Sequence, residues 1–216
     1  MFKIYNYAVA PFKIIYDKTY EYTIEYFYNN NKNTNNDSET QIVKYFNHYR
    51  YYGHVSYFLQ LINFFKSPTH IIDNIYIGSA FNAALYYDLK DKNIEMILNI
   101  TSEISEYYPD DFKYKKYELY DNHIDSIKKY LNNAYNDIIN FKNKNENGNI
   151  LVHCFMGASR SVSIVIYYIM KTLKNSDGSN YSIEQALRYI KNKRIIINPT
   201  QKLLNDIIEV INLENN

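Results

Sequence analysis

The stretch that most constrains this chain is Leu151-Val152-His153-Cys154-Phe155-Met156-Gly157-Ala158-Ser159-Arg160-Ser161, which holds its one cysteine. Ile150–His153 is a short apolar run that reads as a strand. From Ser161 to Leu173, Val162, Ile164, Val165, Ile166 and Ile169 make an apolar helix packed against a sheet. The cysteine stands where the strand ends, and Arg160 where the helix begins. A loop in that position aims several unpaired backbone N–H groups at one spot, beside the positive end of the helix dipole. It can hold an anion the size of phosphate, and it favours the thiolate of a cysteine placed there.

The flanking sequence supplies the frame for such a loop. Asn74–Ile77 reads as a short strand, and Gly78-Ser79 turns into a helix that runs to about Lys92. Glu95–Ile100 is the apolar kind of strand that is buried on both faces. Tyr114–Tyr120 reads as another strand, and Ile124–Phe141 as a helix with Ile124, Ile127, Leu131, Ala134, Ile138 and Phe141 on one side. Asn145–Asn149 is a turn. Ser182-Ile183-Glu184-Gln185 is a capping box, and Asn198-Pro199-Thr200-Gln201 opens the last helix with Asn198 as its cap. The pattern predicts an α/β domain over residues 67–216, with a mostly parallel sheet and helices on both sides.

Residues 1–66 form a different region, an N-terminal extension rich in tyrosine and asparagine. It has strand-like stretches at 2–9, 12–16 and 20–28, a polar linker at 29–40, and a helical pattern over 41–65. The 26 tyrosines accompany a general excess of Asn, Lys and Ile, the mark of an AT-rich coding sequence. A net charge of +1 gives no basic surplus for nucleic acid or an anionic membrane, and the apolar runs are too short to span a bilayer. One cysteine allows neither a disulfide framework nor a cysteine-based zinc site. A soluble protein of the cytoplasm or nucleus is the expectation, with oligomeric state left open.

Within the loop each residue has a physical task. Cys154 is placed to attack phosphorus as a thiolate. The amides of Phe155, Met156, Gly157, Ala158, Ser159 and Arg160 can hold the phosphoryl oxygens, and Gly157 lets the backbone close around them. Arg160 can grip two oxygens as a fork. Ser161 can donate to the sulfur and ease its departure, and His153 fixes loop geometry. The leaving oxygen needs a proton, and Asp121 is the first carboxylate after the preceding strand, so it is the expected acid. Its rival, Asp125, is expected in the first turn of the following helix.

These positions fit the signature H-C-x-x-G-x-x-R-S, and the chain resembles the dual-specificity branch of the cysteine-based protein tyrosine phosphatase superfamily. The resemblance spans about Ile71 to Val210. It takes in Asn74–Ser79, Ile94–Thr101 and the Asp121-Asn122-His123 loop. It implies hydrolysis of phosphotyrosine and phosphoserine/threonine on phosphorylated protein substrates, through a phosphocysteine intermediate and with no metal or other cofactor. The absence of tryptophan sets the chain apart from tyrosine-specific relatives, whose acid lies in a Trp-Pro-Asp loop. Family members commonly read Pro-Asn before the last helix, where this chain has Asn198-Pro199. A lipid, sugar or RNA phosphate, or a non-catalytic phosphoprotein-binding scaffold, are the alternatives.

Overall fold

The apolar strands alternate in a way that demands cover on two sides. In Ile94–Asn99 and Asn149–His153, Met96, Leu98, Ile150 and Val152 join one buried cluster, while Ile94, Ile97 and Leu151 join another. In the computed structural model, which describes residues 64–121, 125–144 and 147–214, both clusters are roofed by helices. All of these residues belong to one compact unit, Ser56–Asn216. The strands and helix expected within residues 1–63 lie outside the described residues.

The elements run β1 (Thr69–Ile72), β2 (Ile75–Gly78), α1 (Ala80–Ala83), α2 (Tyr86–Asp91), β3 (Ile94–Asn99), β4 (Lys113–Lys116), α3 (Lys128–Lys144), β5 (Asn149–His153), α4 (Arg160–Thr172), α5 (Ile183–Lys193) and α6 (Gln201–Glu214). The sheet order is β1-β2-β5-β3-β4. β1 pairs antiparallel with β2, and the remaining pairings are parallel. β5 is therefore the middle strand. Gly78 at the end of β2 and Asn99 at the end of β3 both lie in register with His153 at its carboxyl end. Ligands in open α/β sheets bind outside the carboxyl ends of the strands, and this puts the cysteine loop there. No helix among the described residues is long and apolar enough to cross a membrane.

The expected architecture is the observed one, with four local corrections. The helix after Ser79 is broken into α1 and α2. Ser79 caps α1 through a capping box with Asn82, and the backbone leaves helical geometry at Leu85. The strand expected to reach Tyr120 stops at Lys116: Tyr117 N makes the last bond to β3, on Asn99 O, and a turn in which Leu119 N donates to Tyr117 O at 2.8 Å takes the chain off the sheet. The helix expected from Ile124 to Phe141 runs from Lys128 to Lys144. Its start is fixed by Asp206 of α6, 2% exposed, whose Oδ2 accepts from Ile127 N at 3.0 Å and Ser126 Oγ at 2.9 Å. α6 is capped by Thr200 rather than Asn198: Thr200 O accepts from Leu204 N at 3.1 Å and its hydroxyl from Leu203 N at 3.4 Å. The Asn198 amide is used elsewhere, on the cysteine loop. The Ser182–Gln185 capping box of α5 is as expected.

Candidate active site

The loop after β5 is best understood through its carbonyls. Cys154 O accepts from His153 Nδ1 at 3.3 Å, and Phe155 O from Ala80 N at 3.0 Å. Met156 O and Gly157 O accept from Arg194 Nη2 and Nε, at 3.3 and 2.8 Å, and Ala158 O from Asn198 N at 2.8 Å. Five consecutive carbonyls are thus tied to the outer side of the loop. In a trans peptide the C=O of one residue and the N–H of the next point opposite ways. The amides that follow these carbonyls, Phe155 to Ser159, consequently turn toward the inside. Gly157 makes the closure possible with φ of 69°; a side chain there would collide with Gly78 O and approach Arg194 Nη2 to 2.6 Å.

Inside this ring sits the sulfur. Cys154 is 2% exposed, and its Sγ accepts from Gly157 N and from Ser161 Oγ, each at 3.3 Å. Two donors aimed at a sulfur, at the start of α4, are the surroundings a thiolate requires. His153 lies behind the loop, 1% exposed. Because a carbonyl can only accept, its Nδ1 carries the proton of the bond to Cys154 O, and Nε2 has no partner among the described residues. Burial, with the Arg160 charge adding to it, pushes the His153 pKa down to about 4. The ring is neutral and orients the loop.

Arg160, the first residue of α4, is 2% exposed and gathers three segments. Its Nη1 donates to Glu103 Oε2 at 2.9 Å and to Leu119 O at 3.0 Å. Nη2 faces Glu103 Oε1 at 2.7 Å and Asp121 Oδ2 at 3.2 Å. Nε is buried with no partner among the described residues, and so is Ser159 Oγ. Burial works against the guanidinium charge, but Glu103, Cys154 and Asp121 outweigh it and hold its pKa above the ordinary arginine value. The same pairing holds the Glu103 carboxyl below the ordinary glutamate value despite its partial burial. One edge of the fork, Nη1–Nη2, is spent on the two oxygens of Glu103, and Nη1 holds Leu119 O as well. The Nε–Nη2 edge can receive two oxygens of an anion once Asp121 yields Nη2.

Both candidate acids stand on the segment after β4. Asp121 is well exposed and touches Arg160 Nη2. Asp125 is not in the first turn of α3, which begins three residues later; its Oδ2 accepts from Tyr120 N at 3.4 Å and so braces the chain just before Asp121. The structure thus brings His153, Cys154, the loop amides, Arg160, Ser161 and Asp121 together, and keeps Asp125 in a supporting contact. Among the described residues no group of three or more His, Cys, Asp or Glu side chains could hold a metal ion.

Two functional residues were missed from sequence. Glu103 carried a usable signal. It follows β3 as Asp121 follows β4, and parallel strands on one side of β5 deliver their carboxyl-end loops to the same place. Arg194 carried none, since it is the residue after α5 and reaches the loop only through packing. It is 1% exposed, with Nη1 on Thr69 Oγ1 at 3.0 Å and the other nitrogens on the loop carbonyls. Burial lowers its pKa to about 10, so it stays charged near neutrality.

The family model described as "Dual specificity phosphatase, catalytic domain" matches residues 75–212. The chain belongs to this family. Among relatives of this dual-specificity domain, Protein phosphatase Slingshot of Drosophila melanogaster is 34% identical over 149 residues, 69% of this chain but 14% of that protein. Dual specificity protein phosphatase 1 of Arabidopsis thaliana is 35% identical over 132 residues, 61% of this chain and 63% of its own. The chain thus spans less than two thirds of the length of these relatives. Of solved structures, DUSP15 is 26% identical with a TM-score of 0.59, covering 66% of this chain and 86% of that one. The human tyrosine phosphatase-like serine/threonine/tyrosine-interacting protein shares the fold at 22% identity and a TM-score of 0.60, covering 69% and 99%.

Two expectations follow from this geometry. Arg194→Met frees two loop carbonyls and should lower kcat/KM on an aryl phosphate about 10²-fold, the cost of misplacing a binding site by about 1 Å. Arg194→Lys should recover little, because an ammonium cannot reproduce the fork. Retention of activity within about threefold of wild type in Arg194→Met would contradict the clamp. The second concerns acid stability. A buried neutral His153 binds its proton more weakly than in the unfolded chain, so its contribution is full above about 6.5 and is lost as pH falls toward about 4. Urea unfolding of the full chain should show stability falling across that window at up to ~1.4 kcal/mol per pH unit, and His153→Asn should flatten the slope. An equal slope in both proteins would remove His153 as the cause.

Proposed function

We propose that this protein is a phosphoprotein phosphatase that acts on phosphotyrosine and phosphoserine/threonine through a phosphocysteine intermediate. The observation that carries the reading is the inward ring of amides around the Cys154 sulfur, created by five outward-bonded carbonyls. The unpartnered Nε of the buried Arg160 beside it suits a ligand with oxygens to offer.

In the first step the Cys154 thiolate attacks phosphorus, the S–P bond forms, and the bond from phosphorus to the substrate oxygen breaks. The loop amides and the Nε–Nη2 edge of Arg160 take the charge that spreads over the equatorial oxygens. As phosphate enters, Asp121 gives up Arg160 Nη2; in its protonated form it then delivers a proton to the leaving oxygen. In the second step water attacks phosphorus and Asp121, now a carboxylate, takes its proton. The S–P bond breaks, and the donors from Ser161 Oγ and Gly157 N stabilise the returning thiolate. Glu103 keeps the guanidinium in place throughout. The uncharged side chains of Phe155, Met156 and Ala158 favour protein substrates over phosphoinositides. A thiol that must stay reduced suits the cytoplasm or nucleus, and a signalling role.

Kinetics on two aryl phosphates of different leaving-group pKa test the assignment. Cys154→Ser should abolish turnover while binding is retained. Asp121→Ala should cost roughly 10²–10⁴-fold with the poor leaving group and much less with the good one. Turnover by Cys154→Ser at the wild-type rate, or equal losses for both substrates in Asp121→Ala, would count against it.

A further inference from the structure

The residue immediately after the nucleophile is the most exposed of the cradle. Phe155 is 36% exposed, whereas Cys154, Gly157, Ala158 and Arg160 are buried. Its ring is held from behind. Phe64, 3% exposed, lies 5.6 Å away between ring centroids, and Phe64 packs in turn on Phe65 at 5.1 Å and Phe81 at 6.0 Å. Phe65 and Phe81 close the cluster edge to face at 4.9 Å. The backing is pinned by hydrogen bonds as well. Ser79 Oγ donates to Phe64 O at 2.7 Å, Asn82 Nδ2 to Lys66 O at 2.8 Å, and Ala80 N to Phe155 O at 3.0 Å. Residues 64–66, on the extension side of the expected boundary at 66/67, are thus built into the rim of the cradle.

The charges around the same opening are as telling as the ring. The cradle has two guanidinium groups, and neither is available to a second anion. Arg194 is buried beneath the loop with its nitrogens directed at Met156 O, Gly157 O and Thr69 Oγ1. Arg160 serves the first phosphate, with Glu103 already on its outer edge. Among the described residues the Glu103 and Asp121 carboxylates stand at the mouth, with side chains 39% and 62% exposed. A second phosphate or an acidic neighbour on the substrate meets like charge there without a compensating cation from the cradle.

We propose that Phe155 is a specificity-determining residue: an aromatic wall that selects singly phosphorylated peptides with an apolar side chain beside the phosphorylated residue. This deepens the phosphatase reading and rests on it. An apolar neighbour buries itself against the fixed ring, and such a contact is worth about tenfold in kcat/KM. The fixed backing matters because a ring already immobilised loses little freedom when substrate arrives.

The test uses the full-length protein and four phosphotyrosine peptides identical except for the adjacent residue: Leu, Ala, Asp or phosphoserine. p-Nitrophenyl phosphate serves as the reference substrate. Wild type should favour the Leu peptide over the Ala peptide about tenfold and handle the Asp and phosphoserine peptides less well than Ala. Phe155→Ala should bring the Leu-to-Ala ratio close to one, and Phe155→Leu, which keeps apolar bulk, should leave it at about threefold. Phe155→Lys should raise the phosphoserine peptide relative to Ala. Each readout is a ratio within one protein, so a general loss of rate in a variant does not obscure it. Equal wild-type rates on all four peptides, or a Leu preference surviving in Phe155→Ala, overturns the proposal and leaves the phosphatase reading standing. Wild type inert on the peptides and on p-nitrophenyl phosphate alike overturns both.

Discussion

Everything in this site depends on where five carbonyl oxygens go. A backbone that turns its amides toward one point must turn its carbonyls away from that point, and each buried carbonyl then needs a donor. The fold supplies them from four directions: His153 of β5, Ala80 of α1, Arg194 after α5, and Asn198 before α6. No local interaction of a short loop could do this alone. The anion site is therefore a tertiary object, and the helices on both sides of the sheet are there for it as much as for the core.

The second constraint is the buried charge of Arg160. Removing a guanidinium from water is costly unless its donors are met, and here Glu103, Leu119 O and Asp121 meet most of them. These partners lie after β3 and after β4, so the arginine ties α4 to two neighbouring strand ends. The parallel order β5-β3-β4 is what makes one side chain able to reach both. A fork held along one edge is also preorganised: little must move when phosphate takes the other edge. The contact of Asp121 with Nη2 places the expected acid at the mouth before substrate arrives. Asp206, by fixing the start of α3, holds the far end of the segment that carries it.

Much of this was legible in the sequence because it is written in local patterns. The doubly apolar strand at 95–100 and the apolar helix after Arg160 announced a covered, mostly parallel sheet. The offsets from His153 to Ser161 announced the loop. What stayed hidden was decided by distance along the chain. Arg194 carries no motif of its own and the capping motif at Asn198 says nothing of its backbone N–H, yet both donate to carbonyls some forty residues away. The strand expected to run to Tyr120 ended early because Leu119 N donates to Tyr117 O, a three-residue turn that takes the chain off the sheet. Periodicity cannot register such a contact. Asn198 misled as a cap because α6 starts only at Gln201, so the residue beside its first turn is Thr200, whose oxygens accept from Leu203 N and Leu204 N.

The most direct test of the account is chemical capture of the intermediate. Asp121→Ala should slow both steps, and rapid acid quench during turnover of a good aryl phosphate, followed by peptide mass spectrometry, should find the phosphoryl group on Cys154. The aryl leaving group released in the burst should match the amount of modified enzyme. Turnover with Cys154 unmodified at every quench time, or the phosphoryl group on another residue, would contradict the account, because the ring of amides would then surround a sulfur that takes no part.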